Sequence, residues 1–187
     1  MFTNKHGLIC ALALTVAAIT GSEAKAEETV CRGLIGAVTL DNVRVPQGAS
    51  CTLDGTRAQG TVKVENGASL VAEDVSVIGN VQAEGARNVV VRDGSRIGGS
   101  VQIVQGGAAT VANSRVDGDI LYDENSQPLV IRRNKVGGSV QVFQNTGGVD
   151  IRRNTIDGNL QCKTNNPAPV GGGNVVEGNK EDQCSRL

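Results

Sequence analysis

"GGSVQIVQ", residues 98–105, returns 39 positions later as "GGSVQVFQ", residues 137–144. A phrase that recurs at a fixed distance calls for a search for a period before a search for motifs. Small residues standing two positions before Val, Ile or Leu, with the period carried one step further, are Asp41, Gly60, Gly79, Gly99, Gly118, Gly138, Gly158 and Gly178. Their intervals are 19, 19, 20, 19, 20, 20 and 20 residues. The quoted phrase recurs because its second copy lies two units on.

Two apolar columns accompany these anchors. Val43, Val62, Val81, Val101, Ile120, Val140 and Leu160 follow the first seven by two positions, and Ala58, Val77, Ile97, Val116, Val136, Ile156 and Val176 precede the next anchor by two. Within a unit, apolar residues alternate: Val101 with Ile103, Val140 with Val142, Leu129 with Ile131, Val149 with Ile151. Alternation over short runs, broken by Gly, Asn, Asp and Ser, reads as brief strands joined by tight turns, about three to a unit. A unit of this size buries no apolar face alone, so successive units stack as coils. The expected fold is all-β: a single-stranded parallel β-helix, a right-handed solenoid with coils ~4.8 Å apart. A helical bundle or βαβ fold would need apolar residues at helical spacing, and beyond the first 26 residues no window of helix length has them.

Stacking turns sequence equivalence into contact. Gln82, Gln102, Gln141 and Gln161 share one position, where amides at strand spacing form a ladder. Ser95, Ser114, Asn134, Asn154 and Asn174 share another and read as a turn.

The first 26 residues carry Lys5, an apolar run from Leu8 to Ile19 and a closing Ala24-Lys25-Ala26, the pattern of a cleaved export signal too short to span a bilayer. The expected division is a signal peptide at 1–26 and a β-helix domain at 27–187, exported to the periplasm or the outside. No later stretch is long and apolar enough for a transmembrane segment. A formal net charge of −1 suggests neither nucleic acid nor an anionic membrane surface as partner. With 2% aromatic residues and no Trp, the core must be built from Val, Ile, Leu and Ala, which suits thin stacked layers.

Beyond Cys10 in the leader stand Cys31, Cys51, Cys162 and Cys184, an even number that favours disulfides in an oxidising compartment. Cys31 and Cys51 are 20 apart, one coil, and are expected to lie one above the other. Cys162 and Cys184 are 22 apart, and the two pairs read as clamps on the end coils. The rival reading, a redox or metal site, lacks both a CxxC and a histidine, since the one histidine is His6. The same lack excludes Ser-His and Cys-His nucleophilic catalysis from residues 27–187. No catalytic residue is named, and no cofactor is expected.

Two polar constellations remain. "IRRN" at 131–134 returns at 151–154, which sets Arg132 beside Arg152 and Arg133 beside Arg153. Asp54, Glu73 and Asp93 are expected to precede Arg132 and Arg152 in their column. Stacked like charges repel, so four arginines form a candidate site for an acidic ligand, against the plainer reading of a solvated face neutralised by Asp119, Asp150 and Asp157. "DGDILYDE" offers Asp117, Asp119, Asp123 and Glu124 as hard oxygen ligands for calcium, against the plainer reading of a polar turn.

The segment "GGSVQVFQNTGGVDIRRNTIDGNLQC" and the ending "GGGNVVEGNKEDQC" resemble small secreted bacterial β-helix proteins without an assigned activity. In fold the chain is also similar to pectate-lyase-like β-helices and, at a greater distance, to the bactofilin domain. The lyase resemblance implies calcium-binding carboxylates and a basic catalytic residue on long coils, but the coils here are short and no lyase residue maps onto a position of this chain. The expected function is a non-enzymatic structural or binding module, with cell-envelope polysaccharide or protein as partner. The alternatives are a minimal carbohydrate-binding or polysaccharide-active protein and a self-assembling filament.

Overall fold

The computed structural model describes residues 27–187; the expected leader, with His6 and Cys10, lies outside them. The described residues form 25 short strands and no helix. All strands pair in parallel, in three sheets that run the length of the molecule. The first sheet has nine strands, from Glu28–Val30 to Lys180–Asp182. The second has eight, from Gly33–Ile35 to Val170–Gly172, and the third has eight two-residue strands, from Thr39–Leu40 to Val175–Val176. Each coil contributes one strand to each sheet in turn, which is a parallel β-solenoid of about eight turns.

The register is the one the period demands. Val43, Val62, Val81, Val101, Ile120, Val140 and Leu160 are successive partners in the first sheet. Ala58 to Val176 are successive partners in the third. Nearly all of these side chains are buried, and each buried Val, Ile or Leu among them contributes ~1.5–3 kcal/mol on removal from water. The eight anchors themselves make one continuous column. Gly60 N–H donates to Asp41 O, and the chain of bonds passes through every later anchor to Gly178 N–H on Gly158 O, at 2.7–3.1 Å. Glycine is needed for closeness rather than for φ: a Cβ on Gly99 would stand 2.8 Å from Gly79 O and 2.2 Å from Asn80 Oδ1.

Each corner has its own device. Between the second and third sheets, the turn expected at Ser114, Asn134, Asn154 and Asn174 is a buried ladder. Asn134 donates both its N–H and its Nδ2 to Asn154 Oδ1, at 3.0 and 3.1 Å, and Asn154 repeats this to Asn174. The second Nδ2 proton of each goes to a backbone carbonyl, Val111 O or Ile131 O. Between the first and second sheets runs a second ladder, Asn125, Asn145, Asn165 and Gln183, built the same way. Among the described residues no buried side-chain N or O lacks a partner. Between the third and first sheets, Asn80, Ser100, Asp119, Ser139 and Asn159 each accept the backbone N–H of their equivalent in the next coil.

Three expectations about register need correction. The glutamine column is interrupted: Gln82 bonds Gln102 and Gln141 bonds Gln161, but Leu121 stands between the pairs. Arg92, not Asp93, pairs with Glu73 in the column that continues through Ala112 to Arg132 and Arg152. The coil from Gly79 to Gly99 takes its extra residue in the turn at Gly94, φ +88°, which shifts Asp93 one place round the corner. Cys31 does not lie directly above Cys51. The first inter-coil step is short, Glu28 pairing with Asn42, so Val30 pairs with Arg44 while Cys51 pairs with Gly33. The two cysteines reach each other across the end of the core at a Cα–Cα distance of 5.6 Å, and Cys162 and Cys184 do so at the other end at 5.3 Å. All four are buried.

Candidate functional site

The second strand of each coil ends in a turn whose residue takes left-handed backbone. Down the stack this column reads Gly55, Asp74, Asp93, Asn113, Arg133, Arg153 and Gly173, with φ between +49° and +70°. Glycine, asparagine and aspartate adopt this conformation readily, whereas for a longer side chain it costs ~1–2 kcal/mol. Arg133 and Arg153 hold it at φ +53° and +55°. Gln105, Glu124, Gln144 and Thr164 hold the same conformation at the corner between the first and second sheets, so it belongs to the coil turn, and the arginines are set apart by their charge.

Arg132 and Arg152, the residues just before them, are register partners at the ends of Leu129–Arg132 and Val149–Arg152. The four side chains line one cleft of about 300 Å³, with Asp150 as its only carboxylate among the described residues. Alternation along the strand makes Ile131 and Ile151 point inward and sends the flanking arginines out, while the buried Asn134 and Asn154 fix the corner beyond them. The structure therefore brings together all four arginines that the repeat of "IRRN" singled out.

Their neutralisation is incomplete. Arg152 Nε donates to Asp150 Oδ1. Among the described residues, Arg132, Arg133 and Arg153 have no carboxylate within ion-pair distance, and Asp119 and Asp157 pair with none of the four. Arg92 two coils away makes the contrast. It bonds Glu73 from Nε at 2.8 Å and lies 3.2 Å from Asp93, and the Glu73 hydrogen bond holds its pKa above the ordinary arginine value. The cleft thus carries four cations against one anion, in a chain whose total charge is near zero.

Asp117, Asp119, Asp123 and Glu124 are not brought together. Asp117 and Asp119 precede the strand Ile120–Asp123 and Glu124 follows it, so the two pairs are ~13 Å apart along the chain. Each carboxylate has its own partner: Asp117 accepts from Arg115 Nε at 2.6 Å, and Asp119 from the Ser139 N–H at 2.7 Å. Asp123 accepts from Gln144 at 3.4 Å and Glu124 from Gln105 at 2.8 Å. Among the described residues no three His, Cys, Asp or Glu side chains converge as metal ligands.

A second concavity, about 720 Å³, lies on the outer face of the first sheet and includes Lys63, Glu65, Gln82, Glu84 and Gln102. It went unpredicted because its curvature belongs to the stack rather than to any motif. It presents both signs of charge, and its central amides, Gln82 and Gln102, bond each other. Among the described residues no helix is long and apolar enough to cross a membrane.

No family model matches the chain, no curated protein matches it, and no solved structure matches it. The resemblance to secreted bacterial β-helix proteins therefore has the architecture alone behind it.

Proposed function

We propose that the protein is an exported β-solenoid that serves as a binding module, offering its arginine cleft to an acidic polysaccharide at the cell envelope or outside the cell. The observation that carries this reading is the gathering of Arg132, Arg133, Arg152 and Arg153 in one cleft with a single carboxylate. Guanidinium groups pair with carboxylates through two parallel hydrogen bonds, and exposed arginines with no internal partner keep those donors available. Two cysteine pairs at disulfide distance suit an oxidising location, in keeping with the leader-like first 26 residues. The test is affinity electrophoresis through gels loaded with polygalacturonate, alginate or neutral dextran. Retardation in the two polyuronates, absent in dextran and lost in R132Q/R133Q/R152Q/R153Q, is expected. Equal mobility in all gels sinks the reading.

A second reading, end-to-end self-assembly, has one observation of its own. All three sheets finish at the same two ends, and large exposed apolar side chains gather there: Leu34 at 72% exposure on the first coil, Val170 at 56% and Val175 at 63% on the last. Open strand edges with apolar side chains are templates for a further strand. Sedimentation that shifts to larger species with rising concentration would support it, and a constant monomer would remove it.

A further inference from the structure

Along the solenoid axis the cleft is open at both ends. Arg152 pairs with Gly172 on one side, and Gly173 follows there at the position of Arg153; on the other side Arg132 pairs with Ala112, and Asn113 stands at the position of Arg133. The residues above and below the arginines are therefore small, and a long ligand is not confined to the two coils that hold them.

Beyond Asn113 the corner column reaches Asp93, whose charge repels a polyanion. A positive path continues one column over, on the outer face of the third sheet. Arg96, Arg115 and Lys135 are consecutive register partners there, all exposed, and Lys135 lies two residues from Arg133 around the corner. Three cations stacked at ~4.8 Å repel one another, which a purely structural face would avoid by alternating sign. Among the described residues, Asp117, on Arg115, is the only carboxylate paired with the row.

We propose that the acidic polymer lies along the axis over four coils, running from Arg152 and Arg153 through Arg132 and Arg133 onto the Lys135, Arg115 and Arg96 row. The site then reads an extended chain of uronate-like sugars, one carboxylate per repeat, rather than a single anion. The contact spans ~14 Å at the coil spacing. A single-stranded nucleic acid is the less suitable polyanion, because such binders stack bases on aromatic rings. Among the described residues none lines this path: Tyr122 is buried in the core, and Phe143 lies on the first sheet.

This inference rests on the cleft being an acidic-polysaccharide site, and the two are tested separately by titrating the protein with oligogalacturonates from the dimer up to long chains. Affinity is expected to rise with length and then level off. R96Q/R115Q/K135Q is expected to weaken long chains about tenfold, from several exposed ion pairs, and to leave short ones unchanged. Unchanged binding of the short oligomers also reports that the variant is folded. Affinity independent of length, or a triple variant that equals the wild type on long chains, overturns the axial path while leaving the cleft reading intact. No binding of any oligomer overturns the cleft reading itself. A single-stranded oligonucleotide that binds as tightly as a uronate chain of similar charge overturns the choice of ligand.

Discussion

At the scale of the residue, the inward positions do two different kinds of work. Tyr122, the one tyrosine of the chain, occupies an inward column between Ile103 and Val142 and is fully buried. Burial pushes its phenol pKa well above the usual value of ~10, because the ionised form has no water. A raised folded-state pKa contributes stability that is complete below pH ~10 and lost as the pH climbs past it, since the unfolded chain ionises first. In an alkaline titration tyrosinate absorbance is expected to appear together with loss of β-sheet circular dichroism; tyrosinate forming in a still-folded protein would contradict the burial. Asn154 works through hydrogen bonds. Asn154→Ala strands two donors of Asn134 and the acceptor Ile131 O, and is expected to lower unfolding free energy by about 1–3 kcal/mol in denaturant melts. The inward column was legible from alternation alone. The asparagine position was legible as a turn, but its burial was not, since an amide turns inward only where neighbouring coils complete its bonds. The second ladder leaves a readable trace, Asn125, Asn145 and Asn165 at intervals of 20, but a polar one outside the apolar columns.

At the scale of the element, the coil corner decides what is tolerated. Gly138→Ala would put a Cβ 2.2 Å from Asp119 Oδ1 and 2.9 Å from the Gly118 carbonyl, forcing two coils apart. The expected cost is about 1–3 kcal/mol, the range for overpacking, read as a drop in melting temperature. Gly36→Ala is the control, with no atom within 4 Å of the added Cβ, and is expected to stay within ~0.5 kcal/mol of the wild type. Equal melting temperatures for the two variants would show that the glycine column does not set coil spacing. The anchors were legible because close packing tolerates so few residue types. The corner that receives an extra residue was not, because intervals of 19 and 20 count residues without saying where one is inserted. In the coil from Gly79 to Gly99 the turn at Gly94 takes it, whereas the later 20-residue coils take it between the first- and second-sheet strands, and the one-place slip at Gly94 exchanged Asp93 for Arg92 in the arginine column. The short first coil misled in the same way, since the spacing of Cys31 and Cys51 equals one coil although neither is the other's register partner.

At the scale of the whole molecule, regular stacking makes the differences between layers the informative part. Equivalent residues in the corner column run from Gly55 through Asp74, Asp93 and Asn113 to Arg133 and Arg153, so the charge of that edge changes sign along the axis. The repeat of "IRRN" made the arginines legible. Which carboxylates would neutralise them was not, because Asp119 faces another corner and spends its oxygen on the Ser139 N–H, while Asp150 reaches only Arg152. The calcium reading of Asp117, Asp119, Asp123 and Glu124 rests on closeness in sequence, and the length of the strand Ile120–Asp123 separates what the sequence sets together. The most direct test of the account is a calorimetric titration of polygalacturonate into the wild-type protein and into R132Q/R133Q/R152Q/R153Q, at low and high salt. Saturable binding that weakens with salt in the wild type and is absent in the variant is the predicted result; identical heats from the two proteins would contradict it.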